Sequence, residues 1–232
     1  MSDHTSKQFD SELEAVRSSV LQMGGLVEEQ VNRAIEALGS GDLQMIESIA
    51  ATGKQVNRME VELDEQCSHI IARRQPTAGD LRLLMTVIKV ITDLERIGDE
   101  AEKIARMAKL IHEAERANMP RVELTHMADA AIAMLRKALD SFARLDPISA
   151  AQVVRDDLAL DDEYSAIMRQ LITFMIEDPR TISRSIETLF IVKALERVGD
   201  HAKNMCEYTV YMVKGRDVRH IGVEDLEREA AQ

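Results

Sequence analysis

The chain contains no tryptophan, and only two cysteines and four prolines among its 232 residues. Two cysteines, Cys67 and Cys206, are too few for the disulfide framework that holds small secreted domains together. No apolar run approaches the roughly 20 residues that a membrane-spanning helix needs. The N-terminal residues also lack the basic start and apolar centre of a secretory signal. We therefore expect a soluble, cytoplasmic protein.

Positive charge is also scarce, with 29 lysines and arginines against 41 acidic residues and a formal net charge of -12. Binding to a phosphate backbone needs clustered lysine and arginine, so direct contact with nucleic acid is not expected. An acidic surface is suited to cations or to basic patches on partner proteins. The sequence also lacks a glycine-rich phosphate loop, a nucleophile elbow and a cysteine–histidine metal cluster. No catalytic residue and no enzyme activity are indicated.

Aromatic residues make up only 3% of the chain, and most of the other residues are good helix formers. No convincing alternation of apolar and polar residues predicts a strand. The fold class is therefore predicted to be all-α, with six long helices separated by glycine- and proline-containing breaks. Their approximate ranges are 9–38, 43–73, 79–117, 125–144, 147–176 and 181–213. The tail from residue 215 is polar, and we expect it to be less ordered.

An internal repeat organises these helices. Residues 94–99 (LERIGD) recur 101 positions later as residues 195–200 (LERVGD), in the third helix of each half. Long helices of this kind bury their apolar faces against one another, and the lengths suit two tandem three-helix bundles. We predict that the first repeat spans residues 1–117 and that the second spans residues 118–232, including the tail.

Each copy of the repeated motif carries two carboxylates four residues apart, Glu95 with Asp99 and Glu196 with Asp200. This spacing places both carboxylates on one face of a helix. The glutamates continue a line of apolar residues, where a charged group needs an opposite charge, a metal ion or access to water. The glycine inside each motif weakens a helix by about 1 kcal/mol relative to alanine. That cost suggests that space is needed there for a neighbouring helix or a bound ion.

The preceding helix of the second repeat supplies a complementary pair, Asp157 and Asp161, one turn apart at the head of an apolar stripe. If the two helices are antiparallel, this pair approaches Glu196 and Asp200. Four carboxylates without cysteine are hard oxygen ligands, which suit Mg, Mn, Ca or Fe better than structural zinc. His201 and Asn204 lie close by in the sequence.

The first repeat departs from this pattern. Gly53 and Asn57 stand where the second repeat has its two aspartates, and the next acid pair, Glu60 and Asp64, comes one heptad later. Asn57 still offers an amide oxygen close to this shifted pair. We therefore expect weaker metal binding in the first repeat, or none.

Three alternatives remain open for the acid pairs. They could form a solvated helix face, or Arg96 and Arg197 could bind acids on adjacent helices as structural ion pairs. The bundle could also store metal or carry out redox chemistry like the ferritin-like proteins, which pair glutamates with two Glu-x-x-His motifs. Only Glu123 and His126 have that spacing, without a second copy.

The two motifs at 94–99 and 195–200 resemble the signature of the PhoU family of phosphate-specific transport system accessory proteins. Residues 73–82, 175–182 and 211–220 are similar to other parts of that family's pattern. The resemblance covers about residues 7–222, and it implies two three-helix bundles related by a pseudo-twofold axis. Members of the family often form homodimers.

The resemblance also implies a function. Family members are cytoplasmic negative regulators of phosphate uptake and of the phosphate-starvation response. They are thought to link the ATPase subunit of the phosphate ABC transporter to a membrane sensor histidine kinase, and thus to reach the membrane only through partners. Some bind metal ions on acid pairs, so Mg, Mn, Fe or Zn is expected here. The matching residues are Glu95, Asp99, Asp157, Asp161, Glu196 and Asp200, with Asn57, Glu60 and Asp64 as weaker candidates.

Overall fold

The computed structural model describes residues 7–113 and 122–232, and this part of the chain is helical, without a strand. The predicted all-α fold class is confirmed. The helices are α1 (Lys7–Ser40), α2 (Leu43–Arg74), α3 (Ala78–Glu113), α4 (Thr125–Arg144), α5 (Pro147–Glu177), α6 (Ile182–Lys214) and α7 (Val223–Ala231), with a 3-10 turn at Pro179–Thr181 before α6. None of the described helices is long and apolar enough to cross a bilayer.

Local capping explains where several helices begin and end. The Asp42 carboxylate accepts hydrogen bonds from two backbone amides at the start of α2, and Asp146 does the same at the start of α5. Such caps satisfy amides that have no partner within the helix. Gln75 and Gly215 follow α2 and α6 in the left-handed conformation, with φ of 47° and 76°. These signals are local, which is why the predicted bounds lie close to the observed ones.

The first six helices form two three-helix bundles, α1–α3 and α4–α6, and the bundles meet mainly where α3 packs along α6. Asp93 contacts His201 and Glu100 contacts Arg197, so the two helices run antiparallel. Apolar side chains from both bundles form one continuous core. The predicted boundary between residues 117 and 118 lies outside the described residues.

The C-terminal tail differs from the prediction. Residues 223–231 form α7, which packs on α5 and buries Leu226 and Ala230. The Arg155 guanidinium binds both carboxylate oxygens of Glu227 at 2.5 Å. The expectation of a less ordered tail was therefore wrong for this segment. Two apolar residues four positions apart give too short a pattern to predict a helix that depends on packing.

Candidate metal centre

The antiparallel helices α5 and α6 bring three aspartates together in the second repeat. One carboxylate oxygen each from Asp157, Asp161 and Asp200 lies within 4.8 Å of the other two. The paired spacing on α5 and α6 predicted this approach. We call these three residues the aspartate cluster.

Asp157 is the buried member of the aspartate cluster, with only 1% of its surface exposed. Its Oδ2 accepts a hydrogen bond of 2.6 Å from the Lys203 ammonium. Its Oδ1 is buried and has no hydrogen-bond partner among the residues that the structure describes. An unpaired carboxylate oxygen is costly to bury, and a cation bound between the three aspartates would satisfy it. The all-oxygen donor set fits the hard metal ions expected from the sequence.

Glu196 lies beside the aspartate cluster but is held by a lysine of its own helix. Both of its carboxylate oxygens lie 2.6 Å from the Lys193 ammonium, and the residue is 9% exposed. Burial, followed by the negative charges of Glu196 and Asp157, raises the pKa of Asp200 above its ordinary value. Burial and the same two neighbours also raise the pKa of Asp161. Negative charge is thus concentrated here beyond what Lys193 and Lys203 neutralise.

The glycine of the second motif serves helix packing. A Cβ atom on Gly199 would lie 2.2 Å from Cδ2 of Leu160, so the absence of a side chain lets α5 approach α6 closely. Of the two explanations offered by the sequence, space for a neighbouring helix is the one that this contact supports.

The corresponding acids of the first repeat are more dispersed. Glu95 is half-buried and Asp99 is exposed, while the Glu60 carboxylate accepts a hydrogen bond from the Thr92 hydroxyl at 3.3 Å. Burial and the charges of Asp99 and Glu60 raise the pKa of Glu95. Within the described ranges, no trio of acidic, histidine or cysteine side chains in this repeat approaches as closely as the aspartate cluster.

The two weaker candidates of α2, Asn57 and Asp64, are both exposed. A different carboxylate, that of Glu102, takes the space beside Gly53: its Oε1 lies 1.8 Å from where a Cβ on that glycine would stand. Glu102 was not among the candidates predicted from the sequence, although it lies seven residues after Glu95 and therefore on the same helix face.

The arginines and polar residues near the motifs also have defined partners. Arg197 binds Glu100 of α3 at 3.1 Å, as expected for a structural ion pair between helices, whereas Arg96 is exposed. His201 and Asn204 contact Asp93 of α3 and not the aspartate cluster. Lys193 and Lys203, which bind Glu196 and Asp157, were also not predicted from the sequence. Their spacing of three residues from Glu196 and Asp200 was the available signal.

Comparison with known proteins identifies the family. The PhoU domain matches the chain twice, at residues 20–108 and 124–209. The chain is 47% identical to the phosphate-specific transport system accessory protein PhoU homolog of Pseudomonas putida, over 99% of this chain and 90% of that protein. It is 44% identical to the accessory protein PhoU of Escherichia coli (strain K12), over 98% of this chain and 94% of that protein.

Solved structures agree with this result. The crystal structure of PhoU from Pseudomonas aeruginosa superposes with a TM-score of 0.86 at 46% identity, covering 90% of this chain and 100% of that one. The phosphate transport system regulatory protein PhoU from Streptococcus pneumoniae superposes with a TM-score of 0.83 at 28% identity, covering 90% and 99%. The chain therefore belongs to the PhoU family of phosphate-specific transport system accessory proteins.

Proposed function

We propose that this protein is a negative regulator of phosphate uptake and of the phosphate-starvation response. It would act in the cytoplasm as an adaptor between the ATPase subunit of the phosphate ABC transporter and a membrane sensor histidine kinase. The observation that carries the proposal is that the PhoU domain matches the chain twice. Relatives named as transport accessory proteins also align over nearly their full length. An adaptor needs surfaces for partners, and the net charge of -12 is suited to basic ones.

The proposal includes metal ions held by the aspartate cluster, with Glu196 as a neighbouring carboxylate. Mg, Mn, Fe and Zn are the candidates. The free Oδ1 of buried Asp157 supports this assignment, since it lacks a hydrogen-bond donor in the described structure and belongs to a group of three converging carboxylates. A bound cation would neutralise negative charge and cross-link the two helices. Lys203 and Lys193, which now bind Asp157 and Glu196, would then be free to turn towards water or a partner.

A metal-storage or redox bundle of the ferritin-like type has less support. The Glu123 carboxylate accepts a hydrogen bond from the Thr125 amide at 2.9 Å, and His126 binds Glu163 at 2.7 Å. The one Glu-x-x-His pair of the sequence is thus engaged elsewhere. No histidine joins the aspartate cluster in the part of the chain that the structure describes.

Deletion of the gene tests the regulatory proposal. Phosphate-starvation genes should then stay active in phosphate-rich medium, and the intact gene should restore their repression. Continued repression in the deletion strain would contradict the proposal.

Binding of the purified protein to the isolated ATPase subunit and to the kinase's cytoplasmic part tests the adaptor role. Light scattering tests whether the protein forms the homodimer that the family resemblance implies.

A double substitution, Asp161→Asn with Asp200→Asn, tests whether regulation depends on the aspartate cluster. We expect bound metal, measured by elemental analysis of the purified protein, to fall together with repression of the starvation genes. An exposed pair outside the cluster, Asp140 and Arg144, offers the control variant Asp140→Asn. Unchanged metal content in the double variant would overturn the ligand assignment.

A further inference from the structure

Five large apolar side chains are exposed on α5 and α6, at the end of these helices away from the aspartate cluster. Between 41% and 76% of the surface of each residue is open to solvent. They are Ile172, Ile176, Ile182, Ile186 and Phe190, and we call them the apolar patch. Single exposed apolar residues are ordinary on protein surfaces, whereas a contiguous group marks a surface that binds another molecule.

The register between the two helices makes the patch contiguous. The Lys193 ammonium lies 5.2 Å from the centre of the Tyr164 ring, and at the turn the Thr181 hydroxyl donates a hydrogen bond of 3.1 Å to a carbonyl of α5. The two helices therefore stay packed between these points. Ile172 follows Tyr164 by eight residues. Ile186 precedes Lys193 by seven, so the two isoleucines are about level across the groove between the helices.

The apolar patch lies on the same face as the aspartate cluster. On α6, Asp200, Lys193 and Ile186 follow one another at intervals of seven residues, which places them on one side of the helix. On α5, Ile176 comes 15 residues after Asp161. This separation corresponds to about 22 Å along the helix axis. A partner helix of about four turns in the groove would therefore reach from the patch to the aspartates.

Negative charge borders the patch at both ends. At one end, the carboxylates of the aspartate cluster and Glu196 outnumber the two lysines that bind them. At the other end, Glu177 is exposed at the last residue of α5, where the helix dipole is also negative. Arg180 in the following turn is engaged by both carboxylate oxygens of Asp178 at 2.9 to 3.2 Å. The groove is thus apolar along the patch and acidic at its two ends.

The first repeat shows that the fold does not require all of these apolar side chains. The alignment of the repeats matches Gly53 with Asp157 and Gly98 with Gly199, and it matches three patch residues with small or polar ones. The pairs are Ile172 with Ser68, Ile176 with Ala72, and Phe190 with Lys89. The equivalent helices α2 and α3 form without these side chains. Packing within the chain therefore does not account for them.

We propose that the apolar patch docks an amphipathic helix of a partner protein, with basic residues at both ends of its apolar face. Apolar side chains at helical spacing would fill the groove between α5 and α6. Met168 and Met175 on α5 are half-buried, and their flexible side chains adapt to such a helix. Lysines or arginines of the partner would meet Glu177 at one end and the aspartate cluster at the other. The inference rests on the adaptor function proposed above, and it names the surface and the chemistry of one of its contacts.

Isothermal titration calorimetry with the full-length protein tests the docking surface. The titrants are the isolated ATPase subunit and the kinase's cytoplasmic part. Ile182→Ser with Ile186→Ser should weaken binding to one of them by about tenfold or more. Ile172→Ser with Ile176→Ser, on α5, should weaken the same binding. The matched control is Leu81→Ser with Met85→Ser, at the equivalent exposed positions of the first repeat, and it should leave both affinities unchanged.

The charge of the partner helix has its own test. Glu177→Gln keeps the shape of the side chain and should weaken the same binding about twofold to fivefold, as expected for an exposed ion pair. Hydrogen–deuterium exchange of the partner in the complex should show protection of one segment, with apolar residues at helical spacing and lysine or arginine on both sides. A protected segment without that pattern would overturn the proposed chemistry.

Two other occupants of the patch give different results. If the patch variants turn a dimer into a monomer in light scattering and leave partner binding unchanged, the patch joins two copies of this chain. If they instead abolish sedimentation with phosphatidylglycerol vesicles, the patch contacts a lipid surface. Either result would overturn the docking of a partner helix. Circular dichroism verifies that each variant is folded.

The outcomes also separate this inference from the proposal on which it rests. If the wild-type protein binds a partner and both patch variants bind it equally well, the docking surface is overturned and the adaptor function stands. If the wild-type protein binds neither titrant, both are overturned. Weaker binding in both patch variants, with wild-type affinity in the first-repeat control, supports the inference.

Discussion

His201 of α6 places its Nδ1 2.7 Å from Oδ1 of Asp93 on α3, so a buried polar pair joins the two repeats. The two residues are 6% and 3% exposed. In this hydrogen bond the imidazole Nδ1–H donates and the carboxylate oxygen accepts. Asn204 donates to the same Oδ1 at 3.4 Å. Successive residues of a helix are rotated by about 100°, which turns His201 away from Asp200 and towards the other bundle.

Removing the acceptor of this pair should destabilise the whole protein. Asp93→Ala leaves the buried His201 Nδ1 without its acceptor, and we expect a loss of about 1–3 kcal/mol in the free energy of unfolding. Urea denaturation followed by circular dichroism measures the loss. Adding His201→Ala should cost less than the sum of the single changes, because the two residues share one interaction. A loss no larger than that of the exposed control Asp140→Ala would contradict this role.

The aspartate cluster should make stability depend on metal. Mn²⁺ should raise the melting temperature of EDTA-treated wild-type protein, because a ligand that binds only the folded state stabilises it. The Asp161→Asn and Asp200→Asn double variant should lose most of that gain. Without metal, the variant should be more stable than the wild type by roughly 0.2–0.5 kcal/mol, because like charges on neighbouring turns repel. Scanning calorimetry with and without Mn²⁺ measures both effects. An equal gain in both proteins would exclude the cluster as the binding site.

Glu207 should make stability fall as the pH rises. Burial raises the pKa of Glu207 from 4.5 to about 7. The positive charges of Lys203 and Arg219 lower this pKa, and the negative charges of Asp157 and Asp217 raise it further. Between these two pH values the folded state binds more protons than the unfolded state, so this residue lowers stability as pH increases through the window. Glu207→Gln should match the wild type near pH 4.5 and exceed it by about 2–3 kcal/mol at pH 8. Urea denaturation across this pH range gives the comparison, and parallel curves for the two proteins would contradict the assignment.

The docking of α7 should depend on its two buried apolar residues. A helix of nine residues is too short to be stable by itself, so Leu226→Asp should release it from α5. Limited proteolysis followed by mass spectrometry should then show faster cleavage within residues 223–232. Arg228→Ala, on the exposed face, should leave the cleavage rate unchanged. Equal protection in both variants would show that Leu226 does not hold α7.

Much of the fold could be predicted because its signals are local. Asp42 and Asp146 cap helices by contacting amides two or three residues away, and their positions mark the starts of α2 and α5. The repeat at 94–99 and 195–200 predicted two similar halves. The helix α7 was missed because its stability comes from contact with α5 and not from its own pattern.

The sequence by itself determined which residues share a helix face, and so it predicted Asp157, Asp161, Glu196 and Asp200 as one candidate site. Only the tertiary structure decided which side chains meet across helices. It placed the Lys203 ammonium against the Asp157 carboxylate, and it placed the Glu102 carboxylate in the space beside Gly53, where that residue has no side chain. Helical periodicity fixes a direction around one axis, whereas the register between two helices depends on the packing of all the side chains between them.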